Sequence, residues 1–361
     1  MTRIARTNVL KVIGLAIAIL MLTGANNTFA FQDKISPLSD YQYKRDFAQY
    51  ETIKKEADNQ KRADALLDFI KTRPISRILL YAATDYLAAV KPHLDKKDWA
   101  KALSMQEALW AVLPTTESVQ SAGIPAGTEE FLKDQLLPTQ KLVLSNTLQV
   151  HMQANNMPKA AETAEKLYAL APEKALLPVV ANIYLGMKNY DKFLEYGQKI
   201  LADTPMEQGY QLALQMAQVY LQKNDMPSAI ALLSKVMDTY GDKVPPDVQE
   251  PQWNATRAFA YGVIAANVYA TKDYAKSLEL YGKVVKFDPK RDDAYYYIGM
   301  CKWQSKDQQG AIDAFAKAVV LNKDFGKKAQ PYLEQLYKAE HSGSLDGLDQ
   351  VLAKAKADLG V

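Results

Sequence analysis

The residues best suited to nucleophilic, acid–base or metal chemistry are few and scattered. The three histidines, His93, His151 and His341, lie far apart, and none has the H-E-x-x-H spacing that places two ligands on one helical face. Cys301 has no histidine near it in sequence and sits in an apolar, helix-like stretch, which points to a buried thiol rather than a nucleophile. Asp292 and Asp293 are adjacent, so on a helix they point in different directions and suit a helix N-terminus better than paired acid–base work. No G-x-S-x-G, phosphate-binding loop or dinucleotide glycine pattern occurs. The sequence therefore assigns no catalytic residue, no cofactor and no metal ligand, and the chain is expected not to be an enzyme. A single cysteine also excludes an internal disulfide framework.

Binding chemistry is better represented. Within the run Tyr295-Tyr296-Tyr297, Tyr296 is followed by Met300 and Trp303 at spacings of four and three, which is one face of a helix. Aromatics and methionine are the side chains that recognition surfaces favour. The elements carrying them must be helices. Apolar residues make up 48% of the chain and charged residues 24%, as in a folded soluble protein, while 16 Gly and 16 Pro in 361 residues are too few for the turns of an all-β fold.

An internal repeat supplies the organisation. Asp273–Pro289 (DYAKSLELYGKVVKFDP) is followed 34 residues later by a second helix-like segment starting at Asp307, so that Tyr281 falls on Phe315, Val284 on Ala318 and Phe287 on Leu321. Each segment follows another helix-like stretch, over 258–271 and 292–305. Turn residues recur at Asn156, Asn189, Asp225, Asp273 and Asp307, and a Pro-rich insertion over 244–257 explains the one long interval. Upstream, 63–74 and 98–114 read as further second helices, and 115–140 as an insertion.

This pattern resembles the tetratricopeptide repeat, a helix-turn-helix unit of about 34 residues. Residues 292–325 supply Tyr295, Ile298, Gly299, Ala311, Phe315 and Ala318 at the family's framework positions, with Lys323 where proline is usual. Residues 258–291 supply Tyr261, Ile264, Ala265, Ser277, Tyr281, Val284 and Pro289. In the copy ending at Pro205, Phe193 and Gly197 reverse the small and aromatic positions, which predicts looser packing there. The resemblance implies an all-α, right-handed α-solenoid of helix pairs, needing several units to bury its apolar stripes and a polar-faced end. The expected division is 31–114 for divergent N-terminal repeats, 115–140 for the insertion, and 141–325 for the array. The array comprises 141–173, 174–207, 210–243, 258–291 and 292–325, and 326–361 forms a C-terminal capping helix pair.

In that family the first helices line a concave groove where peptides bind. The corresponding residues are Leu214, Gln218 and Leu221, then Phe259, Ala266 and Tyr269, then Tyr296, Met300 and Trp303, with Gly262 beside them. The competing expectation is that Tyr296, Met300 and Trp303 pack under the capping helices. The groove positions carry few cations, which disfavours clamping of a carboxylate tail. The implied function is a scaffold binding a protein or extended peptide. Two alternatives stand beside it. One is an enzyme or small-ligand or glycan binder with its site in 115–140 or 244–257, where Trp253 could stack on a sugar. The other is a structural subunit of an envelope complex.

The charge balance sets the compartment. Lys and Arg total 44 against 41 Asp and Glu, but residues 1–30 hold Arg3, Arg6 and Lys11 and no acid, so the remainder is neutral. Nucleic acid is thereby disfavoured as a partner. Those three cations precede an apolar run over 12–22 and small residues ending at Ala30, the order of a secretory signal peptide cleaved after Ala30 or, as second choice, Ala25. The expected location is periplasmic or secreted, without a membrane span once the signal is removed. The alternative is an inner-membrane anchor left uncleaved over 12–25.

Overall fold

The computed structural model describes residues 40–122 and 126–361, so the expected signal segment over 1–30 and its cleavage sites lie outside the described residues. The described residues are helical, with no strand among them. They form two compact units, divided between Ala202 and Asp203.

Unit 1 contains α1 (Asp40–Lys54), α2 (Asn59–Thr72), α3 (Leu79–Ala88), α4 (Lys91–Asp95), α5 (Trp99–Val112), α6 (Thr116–Ser121), α7 (Thr128–Phe131), a π-helical segment (Leu132–Leu136), α8 (Leu137–Gln153), α9 (Met157–Leu170), α10 (Leu177–Gly186) and α11 (Tyr190–Ala202). Its core joins Leu66, Phe69 and Ile70 of α2 to Leu79 and Ala82 of α3 and Leu109 of α5. Unit 2 contains α12 (Met206–Gln222), α13 (Met226–Tyr240), α14 (Glu250–Ala270), α15 (Tyr274–Phe287), α16 (Asp292–Gln304), α17 (Gln308–Val320), α18 (Asp324–Glu340) and α19 (Leu348–Leu359). Within unit 2 each helix from α12 to α18 packs on the next, as expected of an α-solenoid, and α19 returns onto α17.

One turn design joins the helices of each pair. Asp98, Asn156, Asn189, Asp225, Asp273 and Asp307 each accept a hydrogen bond from the backbone N–H three residues on, at 2.9–3.4 Å, and so cap the second helix. The residue before each cap, Lys97, Asn155, Lys188, Asn224, Lys272 or Lys306, has φ between 56° and 65°. In five of the six the cap residue's own N–H also reaches back to a carbonyl of the first helix, as Asp307 N does to Lys302 O at 2.9 Å. A Schellman closure of one helix and the N-cap of the next therefore share a single Asx residue.

Small residues set the helix crossings. A Cβ on Gly299 of α16 would fall 2.6 Å from the Phe315 ring of α17, and one on Gly326 of α18 would fall 2.4 Å from the Ala318 carbonyl oxygen. Ala311 and Phe315 are fully buried at these contacts.

Two expectations are corrected. The 244–257 segment is not a loop throughout, because α14 begins at Glu250 with Pro251 in its first turn, where a missing N–H costs nothing. Within 115–140 the described residues form α6, α7, the π-helical segment and the start of α8, with Pro138 in the first turn of α8. The copy with Phe193 and Gly197 is not loose, since both residues are buried and Phe193 is wholly so; the exchange of positions leaves a large and a small residue in the pair.

Candidate peptide-binding face of unit 2

α12, α14 and α16 are the first helices of successive pairs, and the residues singled out from the sequence lie on them at helical spacing. Gln218, Ala266 and Phe259 are exposed, Phe259 to 39%, while Leu214, Leu221, Tyr269, Tyr296, Met300 and Trp303 are half-buried.

The aromatic members belong to a larger series. Tyr274 lies 5.5 Å from Tyr269 between ring centroids, Tyr269 5.0 Å from Tyr297, and Tyr297 5.2 Å from Tyr296. Tyr332 of α18 then meets Tyr296 at 6.1 Å and Trp303 at 5.6 Å. Tyr296, Met300 and Trp303 thus pack against the core that the terminal helices help to build. The structure brings the α14 and α16 aromatics together through Tyr297, and it leaves Gln218 and Phe259 as solvent-facing members.

Tyr274, Tyr297 and Tyr332 were not among the expected residues. Tyr297 follows Tyr296 in sequence and by helical spacing should face elsewhere, yet it stacks on Tyr281 at 5.1 Å and 7° and so fills the joint between two pairs. Tyr332 lies in a helix read only as a cap. Burial raises the phenol pKa of Tyr269, and burial together with the Tyr332 hydroxyl beside it pushes that of Tyr296 up to about 12.

The formal charges here are satisfied locally. Arg291 donates to both carboxylate oxygens of Asp293, at 2.7 and 2.6 Å. Its Nη2 lies 3.6 Å from where a Cβ on Gly262 would stand, so the missing side chain makes room for the guanidinium. Asp292 instead crosses to the next helix, where its carboxylate accepts from Phe325 N at 2.8 Å and Gly326 N at 3.2 Å and caps α18. The adjacent aspartates do serve helix and ion-pair roles, but Asp292 caps a helix 33 residues away rather than its own.

The other reactive side chains stay apart. His93 lies 3.7 Å from Asp98, His341 stacks on Tyr337 at 3.8 Å between ring centroids, and His151 is buried in α8. Burial raises the Cys301 thiol pKa, with Ser277 beside it. Among the described residues no group of three His, Cys, Asp or Glu side chains is placed to hold a metal ion. Trp253 is 1% exposed and meets Tyr210 and Tyr240 edge-on at 5.7 and 5.4 Å, so its ring is not free to stack on a sugar. Arg257 beside it donates to Lys243 O at 2.7 Å, and Tyr210 and Gln211 hold Asp247 at 2.7 and 2.6 Å, which ties down the preceding loop.

Comparison with known proteins gives a family match and a set of structural likenesses. Residues 267–329 match the family model described as tetratricopeptide repeat. No curated protein matches the chain. Among solved structures, MamA residues 41-end from Desulfovibrio magneticus RS-1 is 16% identical, covering 50% of this chain and 94% of its own, with a TM-score of 0.33. YrrB, titled a TPR protein with an unusual peptide-binding site, is 16% identical, covering 60% of this chain and all of its own, with a TM-score of 0.38. The TPR2AB-domain:pHSP90-complex of yeast Sti1 is 12% identical, covering 88% and 99%, with a TM-score of 0.33.

Proposed function

We propose that this chain, whose residues 267–329 match the tetratricopeptide repeat, is an exported, non-catalytic scaffold that binds a protein or an extended peptide along the first-helix face of unit 2, in the cell envelope. The observation that carries the reading is that face itself. Three consecutive first helices present exposed Phe259, exposed Gln218 and half-buried aromatics, while the nearby ion pair Arg291–Asp293 is closed on itself. The Gln218 side chain is exposed, and an amide can both donate to and accept from a peptide backbone.

The basic leader, apolar run and small residues before Phe31 support export, and the neutral balance of the rest argues against a polyanionic partner. No helix among the described residues is long and apolar enough to cross a membrane.

Two measurements test this. A photo-crosslinking residue at position 259, compared with one at exposed Lys235 on α13, should capture protein or peptide partners from envelope extract only at 259; equal capture at both positions overturns the face. The intact mass of protein from the native host should correspond to a chain starting at Phe31, and a full-length mass overturns cleavage.

A further inference from the structure

Unit 1 carries a buried titratable group that the peptide-binding reading does not use. We infer that His151 makes the joint between α5 and α8 acid-sensitive, so that the joint loosens when the imidazole takes up a proton.

The ring's placement carries the inference. His151 lies in the last turn of α8 and is 6% exposed. Its Nδ1 is buried and has no hydrogen-bond partner among the described residues. A neutral imidazole tolerates this, because its single proton can sit on the other nitrogen and leave Nδ1 an unused acceptor. The imidazolium carries an N–H on both nitrogens, so protonation creates a buried donor with nothing to receive it. On α5, which packs on α8, Gln106 is 1% exposed and neither its Nε2 nor its Oε1 has a partner among the described residues. Each such atom is a cost that the apolar packing of the two helices must offset before any proton arrives.

The surrounding charges do not compensate the cation. Glu107 of α5 and Glu162 of α9 favour it, and Lys159 of α9 opposes it. Glu107 is exposed, and Glu162 is already engaged by Lys159 and Lys166, at 2.8 Å each. The last turn of a helix also favours a cation. α3 packs on α8 too, and its one formal charge, Asp85, accepts from the Tyr50 hydroxyl at 2.7 Å. The π-helical segment stands at the far end of α8, about 20 Å away along the axis. Burial outweighs the favourable charges and holds the imidazole pKa below its ordinary value of 6.5.

The sign follows. A group whose pKa is depressed by folding contributes its full stability above its unfolded value and loses it as pH falls toward the folded value. The closed-to-open ratio of the joint should therefore hold above about pH 6.5 and drop below it, by at most about tenfold per pH unit.

Hydrogen exchange of the full chain at pH 7.0 and 5.5 tests this, read by mass spectrometry on peptides of α5 and α8 and corrected for the intrinsic pH dependence of exchange. Protection in α5 and α8 should fall by about 2- to 8-fold, while α16 and α17 of unit 2 keep theirs. His151→Gln cannot titrate and should abolish the fall, whatever its protection at pH 7.0; His151→Leu serves the same purpose if the Gln variant does not fold. His93→Gln should leave the fall intact. Unchanged wild-type protection overturns the assignment. So does a fall that persists in the His151 variant, that His93→Gln removes, or that α16 and α17 share equally.

Discussion

Residues 258–325 and residues 115–153 are both helical for most of their length, but their geometry has different sources. In 258–325 the crossings are set by residues a repeat motif names. Gly299 lies against Phe315, Ala311 is sealed in the crossing, and Tyr281 is stacked under Tyr297. In 115–153 the geometry comes from contacts distant in sequence. The Gln135 side chain accepts from Leu80 N at 3.2 Å, and the Gln140 amide donates to Pro114 O at 3.3 Å. A repeat fixes its helix pairs by size complementarity between neighbours, whereas an irregular segment is fixed by polar groups that have found particular partners.

The largest expected effect tests size complementarity. Phe315→Ala should destabilise unit 2 by about 3–5 kcal/mol in chemical denaturation. Gly299→Ala alone should cost about 1–3 kcal/mol because its methyl meets the ring. Combined with Phe315→Leu, that methyl should cost less than it does alone, since the two sites share one space. Additive costs would show that the crossing is not set by this pair.

The matching test in the irregular region is Gln135→Ala. It strands the Leu80 N–H in a part-buried setting and should cost about 1–3 kcal/mol. Gln135→Glu, which keeps the acceptor oxygen, should restore part of the loss. A neutral Gln135→Ala would mean that the π-helical segment holds its shape without this bond.

These contrasts explain what could be read in advance. The paired helices of 258–325 were legible because Ala, Gly and aromatic residues recur in register. The turns were legible because Asn or Asp recurs at each joint. Pro251 misled because proline reads as a break, although it stands in the first turn of a helix where it is tolerated. The site was legible in part. Spacing identified Tyr296, Met300 and Trp303 as one face, but nothing in their own helix shows that Tyr332, from a helix read as a cap, shares their packing. Asp292 belongs to the same class of hidden partner. Asp292→Ala removes the acceptor for Phe325 N and Gly326 N and should cost about 1–2 kcal/mol, with loss of helical signal from α18 as the local readout. Asp292→Asn should lose less, because an amide oxygen still accepts.

The smallest effect bears on a turn that recurs in both units. Each joint holds a residue with positive φ, and at Lys97, Lys188, Lys272 and Lys306 that residue carries a Cβ the left-handed region disfavours. Glycine relieves that strain but adds freedom to the unfolded chain, so the net gain is a fraction of the left-handed penalty. Lys306→Gly, with its side chain exposed, should stabilise by about 0.5–1 kcal/mol, and Lys188→Gly in unit 1 should do the same. Equal gains would establish that one turn geometry operates in both units, independent of the helices it joins. A loss at either site would mean that the lysine there makes a contribution, through its charge at the end of the first helix, that outweighs its backbone strain.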